Sequence, residues 1–315
     1  MKAIVYHIFC AGHYKELVKN QMDRLVSSGL YDWCDTLEVS CVDLDGKFEG
    51  IDEIYSNLPK ANVTKYENNS YEYYSIKKVW DLAQNNSGEV LYFHAKGVTN
   101  TYKNLATKEP SQWKIDGINC WREIMEYYLI DNFQTCVEDL KDHDHCGVTC
   151  VNGWYWGNFW WANLDFIKQN PEPVHGDRWY FEAWLNYARP HKPKEYYHFT
   201  WNPYFTNLPP QIYTNPSYFK DKKIEVVSAK YGTLGIQQDE GYPSDIPLVQ
   251  NDVTDIIKEN LQKGNGHSFS IRVDNQNFGD AVWGHRKFLI VELTIGGEPY
   301  RIVYNEGYNF ILNFG

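Results

Sequence analysis

A short apolar run, EVLYF at residues 89–93, stops abruptly at His94, Lys96 and Gly97. It is the fourth of four such runs, and their alternation with helical segments constrains the fold more than any other feature of the chain. The runs of strand type cover residues 2–9, 37–42, 62–66 and 89–93. Between the first two, residues 13–28 carry Leu17, Met22, Leu25 and Val26 as an apolar stripe of helical period, with Gly29 as the stop. Residues 72–84 read as another helix, closed by Asn85-Asn86-Ser87-Gly88. Strands alternating with helices predict an α/β fold: a mainly parallel, Rossmann-type sheet with flanking helices. Ligands of such sheets bind in the crevice outside the carboxyl ends of the strands. His94, Lys96 and Gly97 are therefore expected at a ligand-facing edge.

The pattern then loosens. Residues 113–132 predict a long helix with Trp121, Ile124, Met125, Tyr128 and Leu129 on its apolar side, continued over 133–140. A strand is expected over 146–151, a strand and helix start over 159–167, a helix presenting Glu182 over 178–187, and an irregular arm over 202–216. From residue 224 short β-rich runs appear at 224–229, 268–273, 287–293, 301–304 and 309–313, with one helical insert at 252–261. Gly296-Gly297 and Asn305-Glu306-Gly307 mark turns between them. This predicts a small antiparallel β-sandwich. The expected division is an α/β domain over 1–222 and a β-sandwich domain over 223–315, the latter for binding or targeting.

Aromatic residues make up 17% of the chain, with 12 Trp and 25 Tyr, more than a core requires. They crowd into WGNFWWANLDFIKQNPEPVHGDRWYFEAWL, residues 156–185. Aromatic faces stack on the C–H surfaces of sugars while polar groups fix hydroxyls. Trp156, Trp160, Trp161 and Trp179 are accordingly expected to bind an acceptor glycan, with ordinary packing as the alternative.

The formal net charge of −11 speaks against a general nucleic-acid binder and against docking on anionic lipid. It leaves room for a nucleotide-sugar, because local cations decide that contact. No stretch approaches the roughly 18 apolar residues of a membrane span, and the first apolar run is too short for a signal peptide. The seven cysteines, at 10, 34, 41, 120, 136, 146 and 150, are odd in number and show no disulfide framework. Reduced thiols and a cytoplasmic protein are expected.

Several constellations carry chemistry. Lys96 is placed to offset the charge of a diphosphate as a point cation, beside the flexible Gly97. His94 is placed to donate a hydrogen bond or bind a metal. Glu182, in RWYFEAWL, is suited to act as general base toward an acceptor hydroxyl. Arg178, four residues earlier, shares its helix face, and a structural ion pair between them is the alternative. Asn158, after Gly157, is an amide suited to a sugar or nucleotide contact, or to a structural role. Asp43-Leu44-Asp45 has the spacing that two carboxylates need to hold a divalent cation; a surface turn, or a contact of Asp43 to base or ribose, is the stronger reading. His143, His145, Cys146 and Cys150 invite a zinc reading, with polar loop histidines as the default. Phosphate-loop, dinucleotide and nucleophile-elbow motifs are absent from the sequence in the required contexts.

Two of these segments resemble a known group. VLYFHAKGV is similar to the strand-H-T-K-G element of a group of glycosyltransferases from microbes, algae and large DNA viruses, with Ala95 where threonine is commoner. WGNFWWANLDFI followed by RWYFEAWL resembles the downstream G-N-F-W-W-A … R … E-x-W element of the same group, and WREIMEYYLI fits between them. The resemblance covers about residues 1–200. It implies a GT-A-type fold with a nucleotide-sugar donor at the sheet's C-terminal edge. Joined to the residue readings above, this predicts a UDP-, GDP- or TDP-linked sugar donor held by His94, Lys96, Gly97, Asn158, Arg178 and Asp43, and a glycan or glycoprotein acceptor. Catalysis would fall to Glu182 and His94.

GT-A enzymes carry Asp-x-Asp where this chain has His94-Ala95-Lys96, so metal dependence stays open: either cations replace the metal, or another carboxylate supplies it. A non-catalytic glycan-binding protein on the same fold is the alternative function. The tail is similar to a second module, a small terminal β-domain with the pattern Y-G … D-V-T … N-x-x-F/L-G-D … G-x-x-K-x-L … E-G, from which no activity follows.

Overall fold

The structure, a computed structural model, describes residues 1–98, 111–219, 221–234, 248–264 and 268–313. Thr99 and Asn100, at the end of the first singled-out segment, lie outside them, as does Gly235 of the tail pattern. The chain divides into two compact units: residues 1–99 with 125–198, and residues 100–124 with 199–315.

The first unit is built on a seven-stranded sheet. Among the described residues its strands are β1 (Lys2–Phe9), β2 (Thr36–Val42), β3 (Ala61–Tyr66), β4 (Glu89–His94), β5 (His145–Gly147), β6 (Cys150–Val151), β7 (Trp154–Tyr155), β8 (Trp160–Asn163) and β9 (Pro193–Glu195). The order in the large sheet is β3-β2-β1-β4-β8-β5-β9, with β6 and β7 as a separate hairpin. β1 pairs in parallel with β2 and β4, β2 with β3, and β5 with β9. β8 runs antiparallel to both β4 and β5. The expected mainly parallel α/β sheet is therefore present, with one reversed strand.

Burial explains the continuous apolar runs. Six consecutive residues of β1, from Ala3 to Ile8, are buried, as a strand covered on both faces must be. On one face, Ala3, Val5, Val90, Tyr92, Trp160 and Ala162 pack with Ile76, Val79 and Ala83 of the helix Tyr73–Asn85. Phe181, Trp184 and Leu185 close the same cluster. On the other face, Tyr6 stacks on Phe93 with centroids 4.4 Å apart and donates to Gln21 on the helix Tyr14–Ser27. Gln21 passes the contact to Glu126, which Arg24 also holds while gripping Asp131.

Three local readings need correction. The strand expected over 146–151 is broken, because Thr149 adopts a left-handed φ of 52° and turns the chain from β5 into β6. The helix expected over 113–132 turns into a π-helical stretch at Tyr127–Asp131. The helix at Arg178–Ala183 tightens to 3-10 geometry over Trp184–Tyr187.

The second unit carries β10 (Ile224–Gly232), β11 (Gln250–Asp252), β12 (Ser268–Arg272), β13 (Phe288–Ile295), β14 (Glu298–Asn305) and β15 (Asn309–Asn313). They form an antiparallel sheet of order β11-β10-β13-β14 and a β12-β15 pair. The arm expected to be irregular covers the open edge of β14. Asn207 and Arg301 exchange backbone hydrogen bonds at 2.8 and 3.1 Å, and the Asn202 amide donates to Val303 O at 2.7 Å. An exposed strand edge would otherwise template foreign pairing. The Arg301 guanidinium lies 4.3 Å from the centre of the Trp113 ring and donates to Phe205 O.

Tyr231, Asn275, Asp280, Lys287 and Glu306 of the tail pattern meet in one clamp. The Tyr231 hydroxyl reaches Glu306 at 2.9 Å and Asn275 at 3.0 Å. The buried Lys287 ammonium sits 3.0 Å from Asp280 and 3.8 Å from Glu306. These five positions of the pattern thus have a structural role.

Candidate functional site

The chain leaves β1 for β2 and β3 on one side, then crosses back to place β4 on β1's other side. The carboxyl ends of β1 and β4 are thus the switch point of the parallel strands, where α/β sheets open a crevice. The loops there, residues 10–13 and 95–98, abut closely. Gly12 has a φ of 57°, and a Cβ on it would meet Val98 O at 2.1 Å, so only glycine fits.

Strand alternation brings polar groups to this rim. His7 and His94 are register partners on β1 and β4. Each lies two residues beyond a core side chain, Val5 and Tyr92, and therefore on the same face. Below them Glu72, which precedes the helix Tyr73–Asn85, is buried and accepts from Tyr92 Oη and from Asn158 Nδ2, both at 2.5 Å. Ser75 Oγ lies 3.2 Å from His7 Nδ1.

Asn158 itself is 1% exposed with a left-handed φ of 54°, a conformation asparagine tolerates better than most residues. Its Oδ1 accepts from Trp160 Nε1 at 2.9 Å. The His94 Nε2 atom donates to the carbonyl of the adjacent Gly157 at 2.8 Å. The Gly-Asn turn is therefore pinned from both sides, to β4 through His94 and to Glu72 through Asn158.

The charges acting on His94 identify its surroundings. Burial lowers its pKa to about 3; the Lys96 ammonium and, less strongly, Arg178 push the same way, while the Gly157 carbonyl and Glu182 oppose them. His7 is lowered to about 4, chiefly by burial, with Glu72 raising and His94 lowering it. The Tyr92 phenol is pushed well above its usual range by burial, by Glu72 and by Glu182. Both imidazoles are neutral at pH 7. On the helix Arg178–Ala183, Arg178 Nε donates to Glu182 Oε1 at 2.7 Å. Asp177 caps that helix by accepting from the Tyr180 amide.

His94 thus lies within the electrostatic reach of Lys96, Arg178 and Glu182, and Arg178 and Glu182 are bonded to each other; all four were singled out in the sequence. Gly97 stands in the same loop with a φ of 95°. Four other expectations are corrected. Lys96, expected at a ligand-facing edge, is only 8% exposed, and its loop is tucked against residues 10–13. His94, expected to donate to a phosphate, has its Nε2 hydrogen engaged by Gly157. Trp160 and Trp161, expected as acceptor platforms, are 1% and 0% exposed; Trp160 packs in the core face and Trp161 Nε1 donates to Leu129 O. The amide of Asn158 is engaged within the fold.

Asp43 is also inward-turned: its two oxygens accept from the backbone of its own loop, at Asp45 and Phe48. Trp156 is half-buried, and Trp179 is 66% exposed on the same helix as Arg178 and Glu182. His7, Glu72, Ser75 and Tyr92 were not singled out from the sequence. A histidine on the buried face of a strand, at position i+2 from Val5, is the signal for the first of them.

Among the described residues, no three His, Cys, Asp or Glu side chains converge to hold a metal ion. In the region of the zinc reading, His145 instead bonds Tyr155 Oη at 2.9 Å and His191 Nδ1 at 3.2 Å, and His143 turns to Asp139 O. The cysteines are free thiols. No described helix is long and apolar enough to cross a membrane. No protein-family model matches the chain and no curated protein matches it, so the functional reading stands on this geometry.

Proposed function

We propose that the chain is a glycosyltransferase of GT-A type that moves a sugar from a nucleoside-diphosphate donor to a glycan or glycoprotein acceptor, with the C-terminal strands forming a small sandwich-like module. The observation that supports this reading is that His94, at the carboxyl end of β4, feels the charges of Lys96, Arg178 and Glu182, the last two bonded to each other. Two cations near a carboxylate suit a diphosphate and a hydroxyl, and Trp179, exposed on the helix that carries Arg178 and Glu182, suits a sugar ring.

Lys96 and Arg178 would hold the diphosphate as it departs. In an inverting transfer the acceptor oxygen bonds to the anomeric carbon, and the bond from that carbon to the diphosphate breaks, its electrons leaving with phosphate. The acceptor proton passes to Glu182 Oε2, the oxygen that Arg178 leaves open. Among the described residues, Glu72 and Asp43 are engaged within the fold and Asp45 is exposed and 3.5 Å from Lys47, so none of these three is placed to hold a divalent cation. In this reading Lys96 and Arg178 offset the phosphate charge.

Thermal shift and calorimetry against UDP, GDP, TDP and their sugars test the reading. Stabilisation by one nucleotide family, with hydrolysis or transfer of its sugar, supports it. No stabilisation by any nucleotide, with retained glycan binding, favours the non-catalytic alternative.

A further inference from the structure

We infer that His94 is a sugar-hydroxyl receptor of the donor site, one that sorts glycosylated from free nucleoside diphosphate, and that it makes no phosphate contact. The inference rests on the donor-site reading above and deepens it. The argument starts from one hydrogen bond. His94 Nε2 lies 2.8 Å from Gly157 O, and a carbonyl oxygen only accepts, so the hydrogen sits on Nε2. Burial and the nearby Lys96 charge keep a second proton off the ring. Nδ1 is then a bare lone pair. Among the described residues no hydrogen bond reaches it, and it is not a buried orphan either.

A lone pair attracts a hydroxyl hydrogen and repels a phosphate oxygen. The rim consequently has two chemical halves. Lys96 and Arg178 present positive charge, which suits the diphosphate. His94 Nδ1 and Glu182 Oε2 present lone pairs, which suit hydroxyls. The ribose hydroxyls of a nucleoside diphosphate lie at the far end of its diphosphate, whereas the glycosylated form adds sugar hydroxyls at the end where the leaving bond is, and those suit the second half. The Gly157 bond fixes the tautomer, and the Asn158 bond to Glu72 fixes the Gly157 peptide, so the lone pair is aimed before the ligand arrives.

Two reciprocal substitutions test this by calorimetry, with UDP, GDP and TDP each titrated beside its glucose ester, and GDP also beside GDP-mannose. His94→Gln places an amide N–H where Nε2 was and removes the Nδ1 acceptor. His94→Asn places an amide oxygen where Nδ1 was and gives up the Gly157 bond. His94→Gln is expected to leave the affinity for the free diphosphate within about twofold, and to lower that for the sugar nucleotide about five- to tenfold, as loss of one neutral hydrogen bond would. His94→Asn is expected to keep most of the sugar increment while melting at a lower temperature.

An unchanged sugar increment in His94→Gln overturns the inference, as does an equal loss for free and glycosylated nucleotide. Either result leaves the donor-site reading standing. A wild-type protein that binds no nucleoside diphosphate or its sugar overturns both.

Discussion

Glu72 and Asn158 stand 86 residues apart in sequence and are joined, Oε2 to Nδ2, at 2.5 Å in the interior. The bond ties the start of the helix Tyr73–Asn85 to the turn that enters β8, and Tyr92 Oη donates to the same carboxylate oxygen. One buried carboxylate therefore fixes the floor of the rim on which His94, Lys96 and Glu182 sit.

Removing that carboxylate orphans two buried donors. Glu72→Ala is expected to destabilise the protein by about 2–4 kcal/mol, the range for buried polar groups left without partners. Asn158→Ala is expected to cost a similar amount, because alanine loses the bonds and tolerates the left-handed backbone poorly. A double-mutant cycle by urea unfolding should give a coupling of about 0.5–3 kcal/mol. Additive costs would show that the two residues act independently.

The neutral histidines of the fold predict acid sensitivity. His7, His94 and His145 have folded-state pKa values lowered to about 4, 3 and 3, chiefly by burial. Unfolded, each takes up a proton near pH 6.5. Between there and about pH 4 the unfolded chain binds more protons, so stability is full above pH 6.5 and falls as pH drops. The slope is at most about 1.4 kcal/mol per pH unit for each histidine that stays neutral. Urea unfolding at pH 7, 6 and 5 should show the decline, and His145→Phe should flatten it. Constant stability over that range would mean that these rings are protonated in the fold.

The tryptophans of the aromatic segment should separate into two kinds. Trp179→Ala is expected to change stability by less than about 0.5 kcal/mol, as surface substitutions do, and to weaken transfer to an oligosaccharide acceptor. Trp160→Ala and Trp161→Ala are expected to cost about 3–5 kcal/mol each. Equal effects on folding from all three would contradict the burial described above.

Much of the scaffold was legible because its signals are local. Residues 2–9, 37–42 and 89–93 are short, apolar and flanked by helical stripes, and all three lie in the sheet. The reversal of β8 was not legible, since periodicity says nothing of direction. The site was half legible. His94, Lys96, Arg178 and Glu182 carry their chemistry in their side chains and sit at recognisable strand and helix ends. The burial of Trp160, Trp161 and Lys96 was hidden, because it depends on segments far away in sequence. The roles of Glu72 and His7 were hidden for the same reason: each is defined by its partners across the sheet.

Truncation after residue 222 tests the division of the chain. It removes β14, to which Asn202 and Asn207 are hydrogen-bonded, and Arg301, which packs on Trp113. Hydrogen exchange is expected to show residues 112–124 and 199–219 losing protection while β1, β2 and β4 retain it. Uniform protection in the truncated chain would show that 1–222 is self-sufficient. Loss throughout would show that the C-terminal strands complete the fold.

The most direct test of the account is a crystal structure at saturating nucleotide-sugar. The account predicts the diphosphate beside Lys96 and Arg178 at the carboxyl ends of β1 and β4, with a sugar hydroxyl within hydrogen-bonding distance of His94 Nδ1. A nucleotide bound elsewhere, or a rim left without ligand at saturation, would contradict it.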